Sequence, residues 1–311
     1  MIKIGVIGAG HLGRIHLRLL KTIPQFSVVG VFDIDLEAAA KASQEFGVPV
    51  YETAEALVLA CDAVDVVSAT LAHFELARLA IRNFKHVFVE KPITSTVEEA
   101  KILVNLVNEA GVKAMVGHVE RFNPAFLTVS QLDLKPMFIE GHRLAEWNPR
   151  GADVSVVLDL MIHDIDIVLS LIRSDIKRIT ASGVAVVTDT PDIANARIEF
   201  QNGAVANLTA SRISFKKMRK IRMFQKSAYI TVDFLDKKSE IFKIHEFQEG
   251  YIPEDMMYIL ANNKAKGIEY QQLDCPEVNS IQLELQEFAN AILEDKETPV
   301  PFSDGLESLR V

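Results

Sequence analysis

Residues 1–33 read MIKIGVIGAGHLGRIHLRLLKTIPQFSVVGVFD, and this stretch decides the fold of the first half. An apolar, β-branched run from Ile2 to Ile7 meets Gly8-Ala9-Gly10-His11-Leu12-Gly13 at once, and helical spacing follows from Leu12 to Leu20. A second apolar run, Ser27 to Phe32, ends on Asp33, 20 residues beyond Gly13. Strand, glycine turn, helix, strand and acid together describe a seat for a pyrophosphate. Gly8 allows the tight turn, Gly10 lets the backbone approach the phosphates, and Gly13 lets the helix pack close to the sheet. Amides at the helix start, where His11 and Leu12 lie, meet the phosphate charge. Asp33 can accept from a ribose 2′-hydroxyl and would repel a 2′-phosphate, so NAD is expected as cofactor in preference to NADP. Arg14 is expected to be a solvated or pyrophosphate-side charge.

Working outward, the same alternation continues to about residue 120. Ala63 to Ala69, His86 to Val89 and Val112 to Val116 read as buried strands. Leu36 to Phe46, His73 to Ile81 and Val97 to Asn108 read as helices, with Gly47 and Gly111 as stops. Repeated strand and helix imply a parallel sheet with right-handed crossovers. After Asn123-Pro124 the pattern changes. Met137 to Arg143 reads as a strand and Val156 to Ile172 as an amphipathic helix. Strand-like runs then follow one another: 178–187, 194–200, 205–211, 220–225, 229–234 and 238–244, with Gln201-Asn202-Gly203 as a hairpin turn. Helical spacing returns at Asn279 to Leu293. The expectation is an α/β chain: a doubly wound Rossmann domain over residues 1–122, then an α+β domain with a mostly antiparallel sheet over residues 123–311.

The 311 residues carry 33 basic and 42 acidic side chains, a formal charge of -9, which argues against nucleic acid or an anionic membrane as partner. Two cysteines, Cys61 and Cys275, are too few for a disulfide framework or a zinc knuckle. Neither a leader peptide nor a run of ~20 apolar residues is visible, so a cytoplasmic protein without a membrane span is expected.

Two further groupings carry chemistry. Val89-Glu90-Lys91-Pro92 closes a buried parallel strand, and open α/β sheets bind ligands at that end. Read alone, Lys91 is as well explained as a strand-end charge reaching water. Asp159 and His163 stand at i and i+4 on a largely apolar helix, where buried charge is costly unless paired or used. They are a working pair or a fastening for that helix. No Cys/His cluster accompanies them, so no metal is expected.

Taken together, Gly8 to Gly13, Glu90-Lys91-Pro92 and Asp159-x-x-x-His163 resemble the glucose–fructose oxidoreductase / inositol dehydrogenase / MocA family, in order and spacing, over nearly the whole chain. The resemblance implies a Rossmann domain and a large open-sheet domain, NAD(P)-dependent oxidation of a sugar or polyol carbon, and a homodimer or homotetramer formed through the large sheet. By position it makes Lys91, Asp159 and His163 the catalytic trio. It places Ala69-Thr70-Leu71 with His73, and Glu90 with Lys91, beside the nicotinamide end of the cofactor. Gly117 to Pro124 and Asp159 to Asp166 are similar to segments of members acting on UDP-N-acetylglucosamine, which extends the expected substrate to a nucleotide sugar oxidised at its 3-hydroxyl. Met161 stands where many members have Gly, and the chain ends sooner after Phe302 to Leu309 than relatives usually do, as a short or trimmed C-terminus would.

A sugar diphosphate needs donors, for which Arg143, Arg150, Arg212, Lys216 and Lys217 are candidates. The last three belong to a basic run with Arg219, Lys220 and Arg222 that also reads as solvated surface. Competing readings are a non-catalytic NAD-sensing regulator of the same fold and a reductase of a C=N or bilin-type double bond.

Overall fold

The computed structural model describes residues 1–148, 154–246, 257–261 and 264–311. In the first half, β1 (Ile2–Ile7), β2 (Phe26–Phe32), β3 (Ala63–Val66), β4 (His86–Glu90) and β5 (Ala114–Gly117) form a parallel sheet in the order β2-β1-β3-β4-β5. All four residues of β3 and of β5 are buried, and both strands are apolar except for Asp65 of β3. The crossovers are α1 (His11–Leu20), α2 (Leu36–Phe46), α3 (Ala54–Ala60), α4 (Thr70–Arg82) and α5 (Val97–Ala110). Local chemistry sets their ends. Asp35 caps α2 by accepting from the amides of Glu37 and Ala38, and Thr96 with Glu99 forms a reciprocal box at the start of α5. Gly47 and Gly111 close these two helices in the left-handed region, at φ 64° and 65°.

The second half holds α6 (Pro124–Ser130), β6 (Phe138–Leu144) and α7 (Ile162–Leu171), then β7 (Ile176–Val184), β8 (Ile193–Phe200), β9 (Val205–Ser211), β10 (Met218–Gln225), β11 (Ala228–Asp233), β12 (Lys238–Glu246), β13 (Met257–Ala261) and β14 (Lys264–Leu273). They make one nine-stranded sheet, ordered β13-β14-β12-β11-β10-β6-β9-β8-β7. The β6–β9 pair is parallel and every other described pair is antiparallel. One face buries Ile139, Met223, Ile230 and Ile241, beneath α6 and α7. The other carries a ladder of aromatic contacts, Phe138–Phe224–Tyr229–Phe242–Tyr270, with centroids 4.8 to 5.9 Å apart. Phe224 and Tyr270 stay 40% and 48% exposed.

Two expectations require correction. The chain divides into one unit of residues 1–122 with 278–311 and another of residues 123–277, so the final segment does not belong to the second domain. The helices α8 (Ser280–Leu293) and α9 (Phe302–Arg310) return to the parallel sheet. The reason is burial: Leu285, Phe288 and Ala289 are fully enclosed in the first core, and the Phe288 ring meets those of Phe26 and Phe88. Polar links fix the register. Thr298 Oγ1 donates to Ala114 O, and the Val116 amide donates to Val300 O. The second correction concerns residues 156–172, whose helix opens as a wider π turn (Val157–Met161) before α7 begins. The elements α3, α6, α9, β13 and β14 have no counterpart among the expected helices and strands.

Candidate active site

At the end of β1 the three glycines are required for three reasons. Gly8 sits at φ +114°, and a Cβ there would lie 2.6 Å from Val67 O. A Cβ on Gly13 would strike Gly8 O at 1.9 Å. Gly10 faces open space, with nothing within 4 Å of where its Cβ would be. It caps α1 without a side-chain acceptor, and the first turn, with His11 and Leu12, carries no acid. The first amides of a helix have no intrahelical acceptor, so this end offers donors and a bare approach to an anion. These residues fit a pyrophosphate.

Asp33 stands against that loop. Its Oδ2 accepts from the Ala9 amide at 2.6 Å and its Oδ1 from the Asp35 amide at 2.8 Å. A carboxylate has about four lone-pair sites, so acceptor capacity remains for ribose hydroxyls. Exposed apolar side chains flank the carboxyl ends of β2 and β3, namely Ile34, Leu36 and Leu71, the last beside Thr70. They offer faces for flat rings. Arg14 instead pairs with Glu45 of α2, as does Arg18 at 3.0 Å, and the two guanidiniums, Arg14 foremost, hold the Glu45 carboxyl below its usual range.

The strand end after β4 is braced from behind. His73 is buried, with Nδ1 2.8 Å from Pro92 O and Nε2 3.0 Å from Ser68 O. Burial pushes its pKa down, and a neutral ring donates only one of these bonds. Both nitrogens therefore face backbone, tying the β3 end to the Lys91-Pro92 turn, whose peptide is cis. The Glu90 carboxylate also turns inward. Its Oε1 lies 3.3 Å from His16 Nε2, its Oε2 accepts from the Lys91 amide at 3.1 Å, and it fills the space a Cβ on Gly117 would need. Glu90 and His73, read from the sequence as cofactor contacts, thus support the strand end on which half-buried Lys91 stands. His16 in turn holds Asp65 Oδ2 at 2.9 Å through Nδ1. His16, Asp65 and Glu284 were not singled out from the sequence; an imidazole three residues past Gly13, on the buried face of α1, was the available signal.

In the second unit Asp159 lies in the π turn and His163 in the first turn of α7, both half-buried. The amide of Ile162 reaches back five residues to Val157 O, so the backbone widens between them. The helix is anchored beside them: Arg143 of β6 donates to Asp164 through Nε at 3.1 Å and Nη2 at 2.8 Å, both side chains being 3% exposed. Arg143 is therefore no diphosphate ligand. Arg212 is also built into the fold, donating through Nη2 to Val154 O at 2.6 Å and Pro191 O at 3.1 Å, beside Asp192. Burial would raise the Asp192 pKa, but the amides of Val187, Thr188 and Val186 donate to its carboxylate and hold it well below its usual value. Lys217 pairs with Glu146 at 3.3 Å, Lys220 with Asp233 at 3.2 Å and Arg222 with Glu140 at 2.8 Å; Lys216 is exposed. Arg150 lies outside the described residues.

A dinucleotide-type loop, a lysine at the carboxyl edge of the same sheet and an Asp/His pair on a second, open-sheet unit define a two-domain oxidoreductase. The comparisons agree. Residues 2–118 match the model of the oxidoreductase family with an NAD-binding Rossmann fold, and residues 135–230 that of the GFO/IDH/MocA C-terminal domain. The chain belongs to the Gfo/Idh/MocA oxidoreductase family. It is 35% identical, over all of its own length and 94% of the relative's, to a UDP-N-acetylglucosamine 3-dehydrogenase of Acidithiobacillus ferrooxidans. A solved structure of that enzyme superposes with TM-score 0.90 at 33% identity, covering 99% of this chain and 94% of the other. A scyllo-inositol 2-dehydrogenase (NAD(+)) of Bacillus subtilis is 30% identical over 68% of each chain. Among the described residues no helix is long and apolar enough to cross a membrane.

Proposed function

We propose that this oxidoreductase uses NAD to oxidise a sugar hydroxyl, with the 3-hydroxyl of UDP-N-acetylglucosamine or a related nucleotide sugar as substrate. The observation that carries the reading is the match to the Acidithiobacillus ferrooxidans enzyme over the whole of this chain, which carries Lys91, Asp159 and His163. Bound nicotinamide supplies the hydride acceptor. The protein must remove the hydroxyl proton and stabilise the oxygen left behind. His163 is the proton acceptor in this reading, with Asp159 orienting it, and the Lys91 ammonium donates to the same oxygen. Asp33 favours NAD over NADP because its fixed carboxylate repels a 2′-phosphate. The free Cys61 and Cys275 suit a reducing cytoplasm. Because an exposed aromatic face of this kind is rarely left in water, the ladder from Phe138 to Tyr270 supports assembly of two or four copies through the large sheet.

The test is NADH formation from NAD with UDP-N-acetylglucosamine, beside inositol, glucose and NADP. Lys91→Met and His163→Ala should each lower kcat at least ~100-fold, the scale of a general acid–base group. Near-normal turnover in both variants would sink the assignment. Tight NAD binding without turnover of any sugar would favour the sensor reading.

A further inference from the structure

Four titratable side chains meet in the core of the first unit and take no part in the proposed chemistry. They are His16 of α1, Asp65 of β3, Glu90 of β4 and Glu284 of α8. Donor atoms of His16, Glu90 and Glu284 all lie within 4.8 Å of one another. Glu284 is 0% exposed, and among the described residues neither of its oxygens has a hydrogen-bond partner. Three carboxylates around one imidazole in a dry core leave an uncompensated charge, which is costly unless a proton or a cation removes it. One imidazolium serves two carboxylates here, through Asp65 at 2.9 Å and Glu90 at 3.3 Å. The third, Glu284, has no ion pair with a cationic side chain among the described residues.

We propose that Glu284 is a positioning residue for Lys91: a carboxylic acid held neutral behind the His16–Glu90 pair, so that Glu90 stays ionised and grips the Lys91 amide. The role given to Lys91 rests on the function proposed above; the proton at Glu284 does not. The electrostatics agree in direction. Burial, then the charge of Glu90, push the Glu284 pKa well up, with Asp65 and Glu120 adding to the rise and His16 opposing it. Burial would lower His16, but Asp65 and Glu90 raise it well above its usual value. Burial would raise Glu90, but its bond to His16 and the charge of Lys91 bring it down. The cluster then holds an imidazolium, two carboxylates and one acid, with the Lys91 ammonium beside Glu90. If Glu284 ionises, the cluster gains a negative charge within 4.8 Å of Glu90. That charge repels the Glu90 carboxylate, and the bonds of Glu90 to His16 and to the Lys91 amide weaken.

The sign follows by linkage. A folded protein that keeps a proton on Glu284 and His16 is fully stabilised at low pH, and loses that stability as pH rises above the ordinary carboxyl and imidazole values. Glu284→Gln, a neutral isostere, removes the Glu284 part of this loss. The experiment is amide hydrogen exchange of peptides spanning Glu90-Lys91, corrected for intrinsic rate, in wild type, Glu284→Gln and Glu284→Ala from pH 6 to 9.5, beside thermal unfolding and elemental analysis for metals. In wild type, protection of the Lys91 amide should fall about tenfold at the alkaline end, the scale of one hydrogen bond. Glu284→Gln and Glu284→Ala, both uncharged at this position, should hold it flat. With an active sugar, kcat should follow the same pattern while KM stays nearly constant. Identical alkaline profiles in wild type and Glu284→Gln would overturn the proposal. So would a stoichiometric metal ion in the purified protein, because His16 with Asp65 on Nδ1 also has the arrangement of a metal-bound imidazole.

Discussion

The two units bury charge in opposite ways. In the second, every buried cation described has a dedicated anion: Arg143 forks onto Asp164, and Arg212 lies beside Asp192, whose charge is also met by three amides. In the first, three carboxyls share one imidazole. A buried ion pair of this kind fastens two elements and has no reason to change its proton count near neutral pH. A cluster with excess carboxyl groups must choose where its protons sit, and it lies directly behind the strand end that presents Lys91. The contrast separates a charge that holds a helix from charges that tune a site.

The largest effect that could break this contrast is at Arg143. Asp164→Ala leaves a guanidinium buried without its partner and should cost about 3–5 kcal/mol of stability. Chemical denaturation would measure it, and a cost under ~1 kcal/mol would mean that the pair is no anchor. The next is pH. Asp192 has a depressed pKa in the folded state, so its contribution is complete above the ordinary aspartate value and is lost as pH falls through the folded value. Hydrogen exchange across β7 and β8 should therefore open on acidification, whereas the Glu90-Lys91 peptides should open on alkalinisation. The smallest is a control on the surface: Arg14→Ala, which breaks an exposed pair with Glu45, should leave the denaturation midpoint and NAD affinity nearly unaltered. A large drop in affinity would return Arg14 to the phosphate site.

How much of this was legible in the sequence depends on range. The glycine loop, Asp33 and the Glu90-Lys91-Pro92 strand end are local, each written in consecutive residues whose backbone demands are unambiguous. The β8 and β9 strands show because the alternation of their side chains matches one buried face. The return of α8 does not show, since its apolar stripe would suit either sheet and only the seat between Phe26 and Phe88 decides. The same limit hid Glu284 and the partner of Arg143. A buried acid and a surface acid are spelled alike, and the groups that give each its role lie 194 and 21 residues away, at Glu90 and Asp164. The π turn was hidden too, because Val157 to Met161 has the spelling of an ordinary helix.

The return of residues 278–311 to the first core also has a consequence in time. The ribosome makes β1 to β5 early, but the helix that seats Phe288 between Phe26 and Phe88 is separated from them by the whole second unit. At about 5–20 residues per second, that delay is roughly 8–30 s. For that interval the nascent parallel sheet carries an uncovered aromatic seat, and its exposure is a cost of placing one domain inside the chain of the other.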